Sequence, residues 1–421
     1  MPTMENNWFR RLVFITVYLV QGMLVWLTLS YFPILFENVY LIDKGLYGIA
    51  GSIALLPMVF KFFIGPLSDK FPIPFLRGRN RGYIIVGAVL NVVFLPLLSL
   101  DPRVFFVLFF IVWFMQTLGV AIMDILTDAL AISAKSIQNI PGRTGASAWM
   151  FLGSFLGGGI VIAFVPLLDA DLFLGVLLIA IISLLPLLVI FFLKEQPSTG
   201  PAEKRNVREV FRRNLKHPFV RLGLVFAFLL SIDTGLLELT LEPFLDRFPG
   251  SPGRKDLLGQ LFGLTFLGII LGLLFALSIK RLKFLKTPLI DRVKKPRILI
   301  VIAVIYAIPS PILGILIFND MITYYSFLAF YSIFAVVSTL SYITYIGLFL
   351  DLSDPKAAGT MIAAFFSINN LGIAIGIAIG GFIPFWLIYI IVAILSAMRI
   401  IPLLKIRMED VQKTFYQETS Q

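Results

Sequence analysis

The sequence contains no cysteine and a single histidine, His217. Disulfides, thiolate nucleophiles and thiolate metal sites are therefore excluded, and one imidazole cannot assemble a histidine-containing zinc motif or a Ser/His relay. Charge is scarce too: 14% of the 421 residues are Asp, Glu, Lys or Arg, against about a quarter in soluble domains. With 59% hydrophobic residues, such a chain cannot cover itself with polar surface in water.

What is present in abundance is apolar runs of about 20 residues, each long enough to cross a hydrocarbon core of roughly 30 Å at 1.5 Å per helical residue. Twelve are read: Leu12–Phe36, Tyr47–Leu67, Gly82–Leu100, Val104–Ala131, Gly145–Leu168 and Leu172–Leu193, then Phe219–Leu245, Leu257–Ile279, Ile298–Phe318, Met321–Leu350, Ala357–Ile383 and Phe385–Leu404. The expected fold is an all-α membrane protein with two six-helix bundles, 1–193 and 219–404. A basic linker, 194–218, joins them, and a tail follows at 405–421. Only Pro384 separates the last two spans, so one long kinked helix is the alternative there.

A net charge of +11 would suggest nucleic acid in a soluble protein, so the distribution of the basic residues decides. With a cytoplasmic N-terminus, twenty-eight of the 35 Lys and Arg fall in cytoplasmic segments, five lie outside, and Lys61 and Arg399 lie within spans. That is the positive-inside pattern, which places both termini in the cytoplasm. The basic excess is orientation information with an affinity for anionic lipid, and no nucleic-acid partner is expected. The first span lacks a small-residue cleavage site and is expected to be a retained helix.

Two halves are also suggested by a repeat. Leu67-Ser68-Asp69-Lys70 closes the second span and Leu277-Ser278-Ile279-Lys280 closes the eighth, an offset of 210 residues. Halves related in this way are the basis of alternating-access carriers.

The segment Gly65, Leu67, Asp69, Lys70, continued by Gly78, Arg79 and Arg81, resembles the signature loop between spans two and three of the major facilitator superfamily. There, Gly-x-Leu-x-Asp-Arg/Lys is followed by Gly-Arg-Arg/Lys. The resemblance implies a twelve-helix carrier with a cytoplasmic gate. The chemistry suits that role, because an aspartate beside arginines can form charge-assisted hydrogen bonds that hold two bundles together in one state and release in the other. The eighth span carries Ile279 where the aspartate would stand, so the second half is not expected to form the same latch.

Asp124 and Asp128 in span four are four residues apart and share a helical face. Asp124 lies about 30 Å along the helix from Val104, near the cytoplasmic end. Together with the inserted loop, this segment resembles the muropeptide permeases and acetyl-coenzyme A transporters, where a carboxylate pair also marks span four, and more distantly the folate-biopterin transporters. The glutamine that often precedes the first aspartate is Met123 here, a departure that weakens any transfer of substrate. Lys61 either snorkels to the cytoplasm or pairs with Asp124 or Asp128 as part of the gate. Asp128 could equally meet Arg79 or Arg81.

Asp233 lies about 21 Å into span seven and is the candidate central acid, whereas Glu238 and Glu242 count out nearer the outer surface. A carboxyl in a low-dielectric interior could take up and release a proton as access alternates. The alternative is a structural aspartate satisfied by Ser231 or Thr234. Gln21, Gln116, Tyr331, Asn369 and Asn370 lie near the midplane, where carriers place their sites. Each taken singly is also explained by interhelical hydrogen bonding. Glycine runs at Gly153, Gly157, Gly158 and Gly159 and at Gly372, Gly376, Gly380 and Gly381 let helices approach closely. On spans flanking the seam between halves, they would also permit sliding.

The expected function is secondary active transport of a small organic solute, coupled to protons, by a monomer in a plasma (inner) membrane, with no cofactor, no metal and no enzymatic activity. A flippase for lipid or lipid-linked solutes and a non-transporting assembly factor or receptor are the alternatives on the same fold. Lys61 is the one cation placed in the cavity by sequence, which favours a neutral, zwitterionic or weakly charged solute over a polyanion.

Overall fold

A computed structural model of the chain describes residues 3–64, 73, 79–133, 140–194, 207–238, 240–246, 248–277, 294–353 and 358–415. Among them, ten helices are long and apolar enough to cross a membrane, and the bent pair Lys44–Ala54 and Leu56–Phe63 makes an eleventh. The helix Arg254–Leu277, at 24 residues, has the length of a twelfth. In chain order the first half holds α1 (Asn7–Val39), α2 (the bent pair), α3 (Arg79–Phe94), α4 (Phe106–Ser133), α5 (Ile140–Ala170) and α6 (Leu172–Phe191). The second half holds α7 (Pro218–Asp246), α8 (Arg254–Leu277), α9 (Lys295–Phe318), α10 (Tyr324–Asp351), α11 (Ala358–Gly380) and α12 (Phe385–Lys405). The last two spans are therefore separate helices, with Pro384 as the N-cap of α12.

Polar side chains start these helices where the first N–H groups lack partners. Asn6 accepts from the N–H groups of Trp8 and Phe9 at the head of α1, and Asp171 accepts from Leu174 N–H at 3.0 Å at the head of α6. Thr323 and Ser326 form a reciprocal capping box on α10. Prolines bend the interiors. Pro33 cannot donate to the α1 ladder, and the helix opens into π-helical segments at Trp26–Tyr31 and Leu35–Val39 on either side of it. Pro57 sits just past the 43° bend of α2.

Large apolar side chains such as Ile111, Leu188, Phe266, Ile312 and Leu404 stay exposed on the outside of the bundle, as a lipid-facing surface requires. Inside, α5 packs on α1 and α11 packs on α7, and glycine makes both contacts possible. A methyl group on Gly153 would lie 2.6 Å from the Ile15 carbonyl oxygen, and one on Gly372 would lie 2.7 Å from that of Phe228. Gly153 and Gly157 of the first stripe and Gly372, Gly376 and Gly380 of the second therefore serve packing within each half, while Gly159 faces Phe262 of the other half. The backbones of the two halves also approach closely where Gly48 of α2 faces the Ile377 carbonyl of α11 and where Gly381, at the end of the second stripe, faces that of Lys44.

The two ends of the molecule are built differently. At the end carrying the termini, His217 stacks on Phe219 and meets Phe415 of a short tail helix, Met408–Phe415. Lys294 pairs with Glu409 of the same tail helix. At the opposite end the halves are tied directly. Asn38 of α1 donates to Asp246 of α7 at 2.8 Å, and Arg254 of α8 bridges to Asp169 of α5 at 2.6 Å. Tyr31 of α1 also donates to Asp169, at 2.9 Å.

Candidate functional site

Between the halves lies a cavity of about 550 Å³, walled by α1, α2, α4 and α5 on one side and by α7, α10, α11 and α12 on the other. Its size suits a small organic molecule. Most of the side chains singled out in the sequence line it.

The gate residues divide. Gly65, Asp69, Lys70 and Gly78 lie outside the described residues, as does the repeat at Ser278 to Lys280. Arg79 opens α3. Arg81 donates to the Phe191 carbonyl of α6 at 2.6 Å and so ties α3 to α6. Of the two fates open to Lys61, the structure shows pairing. Its ammonium is 2.6 Å from Asp124 Oδ2, both groups are buried, and it lies 4.7 Å from the centre of the Phe366 ring on α11. Asp128 accepts from Tyr18 of α1 at 2.7 Å.

Asp233 differs from both sequence readings. It is neither a lone acid nor an aspartate satisfied only by hydroxyls. Arg399 of α12 bridges to its Oδ2 at 2.8 Å, while the Thr234 N–H donates to its Oδ1 at 2.7 Å. Arg399 also donates to Ser396 and faces the Tyr306 ring at 5.2 Å. The expectation that Lys61 is the one cation of the cavity is corrected by Arg399, which lines it as well. A third buried pair, Lys295 with Asp351 at 2.6 Å, joins α9 to α10.

The midplane polar residues split between packing and cavity roles. Gln116 donates to Asn91 of α3 at 3.0 Å, and Ser231 donates to Asn369 at 2.5 Å, both bonds between helices of one half. Asn370 instead crosses the seam, donating to the Met58 carbonyl beside the bend of α2 at 3.1 Å. Gln21 lines the cavity, and its Oε1 is buried without a partner. Tyr331 lines the cavity from α10. Glu238 and Glu242 also line it. Counting along span seven assigns them to positions nearer the outer surface than Asp233, and the cavity extends that far along α7. Among the described residues, no group of three or more His, Asp or Glu side chains is arranged to hold a metal ion.

Twelve helices around one charge-lined central cavity are the architecture of a membrane carrier. The chain belongs to the Major Facilitator Superfamily, whose sequence profile matches residues 14–377. The fold is similar to that of a D-xylose-proton symporter, with a TM-score of 0.72 at 14% identity over 94% of this chain and 96% of that one. It is also similar to the nucleoside transporter NupG, with a TM-score of 0.64 at 14% identity over 95% of this chain and 100% of that one. A mutant form of NupG gives a TM-score of 0.65 at 12% identity, over 94% of this chain and 98% of that one. At these identities the likeness establishes the fold. Among curated proteins, no sequence relative matches.

Proposed function

We propose that the protein is a secondary active carrier that moves a small organic solute by alternating access and is not an enzyme. One observation carries the reading: ionisable side chains from both halves converge on a single cavity at their seam, while direct polar links close the end opposite the termini. Buried charge is costly in a membrane, and its concentration along a solute path is what a carrier requires. The distribution of basic residues supports a cytoplasmic position for both termini, in a plasma (inner) membrane on this reading; the linked end then faces outward, and the two bundles act as the rocking units.

The likeness of α2 to α5 to muropeptide permeases supports a peptide-like or sugar-containing solute. The neighbouring folds, one a nucleoside transporter and one a D-xylose-proton symporter, support a small polar solute and a proton as coupling ion. Protonation of Asp233 would disrupt its pairing with Arg399 and loosen α12 from α7, linking proton uptake to helix movement.

The test is uptake and efflux in proteoliposomes under an imposed pH gradient, with wild type and Asp233→Asn side by side. Accumulation driven by the gradient and lost in Asp233→Asn is expected. Flux that ignores both gradient and substitution would make the protein a facilitator and the Asp233 pair purely structural. No flux of any screened solute would remove the carrier reading.

A further inference from the structure

Five carboxylates line the cavity, and two cations face them. Lys61 takes Asp124 and Arg399 takes Asp233, while Asp128 receives the Tyr18 hydroxyl. Glu238 and Glu242 are left. Among the described residues, no lysine or arginine forms an ion pair with either, although the two are electrostatic neighbours. Glu242 is 8% exposed; Ser30 of α1 is a hydrogen-bond partner of its carboxyl group, but its Oε2 is buried without one. Such a group is costly unless something completes it.

From these observations we infer that Glu238 and Glu242 form the binding site for a protonated amine carried by the transported solute. The inference rests on the carrier reading and adds the solute's chemical class to it. The surroundings fit an ammonium group. Tyr331 and Tyr389 also line this part of the cavity and lie close enough to Glu242 to interact electrostatically. Tyrosine rings attract a cation through their faces, and two carboxylates accept the donors of an ammonium group by charge-assisted hydrogen bonds. Ser30 of α1, from the opposite half, is close to Glu242, so a bound amine would touch both halves. An anionic solute would meet two carboxylates with no compensating cation beside them.

The position has a structural explanation that accounts for only part of it. Glu242 lies in the first turn of Leu241–Asp246, where a carboxylate is favoured, and its own N–H bonds its carboxyl group. That does not satisfy its Oε2, nor does it explain Glu238 at the end of the preceding helix.

The test is a binding measurement that needs no transport. The probe is dansylcadaverine, a primary amine on an aromatic body, compared with its analogue bearing a hydroxyl in place of the amine. Dansyl emission is followed on the whole protein in lipid nanodiscs, for wild type, Glu238→Gln, Glu242→Gln and the double variant. Wild type should bind the amine at least tenfold more tightly than the alcohol, and the double variant should bind the two alike. Equal binding by wild type, no binding of the amine, or a preference that survives in the double variant would each overturn the site. Should the variants fail to fold, carbodiimide modification of wild-type Glu242, mapped by mass spectrometry, decides. Protection by the N,N-dimethyl derivative of dansylcadaverine, a tertiary amine that forms no stable amide with an activated carboxyl, supports the site, and its absence overturns it. A protein that binds the amine but moves no solute would keep this inference and lose the carrier reading, so the two failures are distinct.

Discussion

The Lys61 ammonium lies 4.7 Å from the centre of the Phe366 ring, and the two residues belong to opposite halves of the molecule. Lys61 is at the same time fixed to Asp124 within its own half. A buried ion pair thus presents its cation to the face of an aromatic ring across the seam. The pair sets the charge in place, and the ring gives the second half something to hold.

Replacing Phe366 by Leu keeps the ion pair and removes about 0.5–2 kcal/mol of attraction between the halves. The end carrying the termini should open more readily. Because the chain has no cysteine, a single one placed at Met58 reports on this directly. Its maleimide labelling should be faster in Phe366→Leu than in the parent, with little change in melting temperature.

Lys61→Met strands Asp124 in the interior, and Asp124→Asn strands Lys61, each loss expected to be about 3–5 kcal/mol. The combination Lys61→Met with Asp124→Asn removes both charges and should recover much of that stability. Thermal unfolding of the two single variants and the double variant measures the coupling. Additive losses would mean that the pair contributes nothing as a pair.

At the opposite end, Asn38 and Asp246 are joined directly across the halves. Cysteines at these two positions should form a disulfide under mild oxidation. The closed bond should stop flux in proteoliposomes, and reductant should restore it. Unimpaired flux through the oxidised protein would show that this end does not need to part.

Glycines should divide by surroundings. A methyl on Gly157 would clash with the Leu19 carbonyl, whereas Gly259 and Gly263 of α8 have nothing within 4 Å of an added Cβ. Gly157→Ala should lower stability by about 1–3 kcal/mol through forced separation of α1 and α5. Gly259→Ala and Gly263→Ala should be neutral or stabilising by up to about 1 kcal/mol, since alanine is the better helix former. Thermal melts of the purified variants separate the two classes.

The helical architecture is legible in the sequence because apolar length is a strong signal in a chain with few charges. The pairing of Lys61 is legible for a related reason: an ammonium in an apolar span has few places to go, and Asp124 is a carboxylate of similar depth. Arg399 stands out in the sequence as an intramembrane cation, but its partner does not, because Asp233 lies 166 residues away and no local pattern links α7 to α12. Glu238 and Glu242 count out nearer the outer surface than Asp233, and the sequence does not show that the cavity extends that far along α7. The role of the glycine stripes turns on which helix each one faces, which periodicity alone does not give.

The π-helical segment at Trp26–Tyr31 sets which way the far part of α1 looks. A π turn accommodates one residue more than an α turn, so it shifts the angular phase of everything beyond it by about 100°. On the near side of that shift, Tyr18 reaches Asp128 within its own half; on the far side, Asn38 reaches Asp246 in the other. Were the segment to relax into a regular α-helix, Asn38 would swing away from its partner while Tyr18 stayed in place. The backbone register of that short stretch thus sets whether the far end of α1 presents Asn38 to the other bundle.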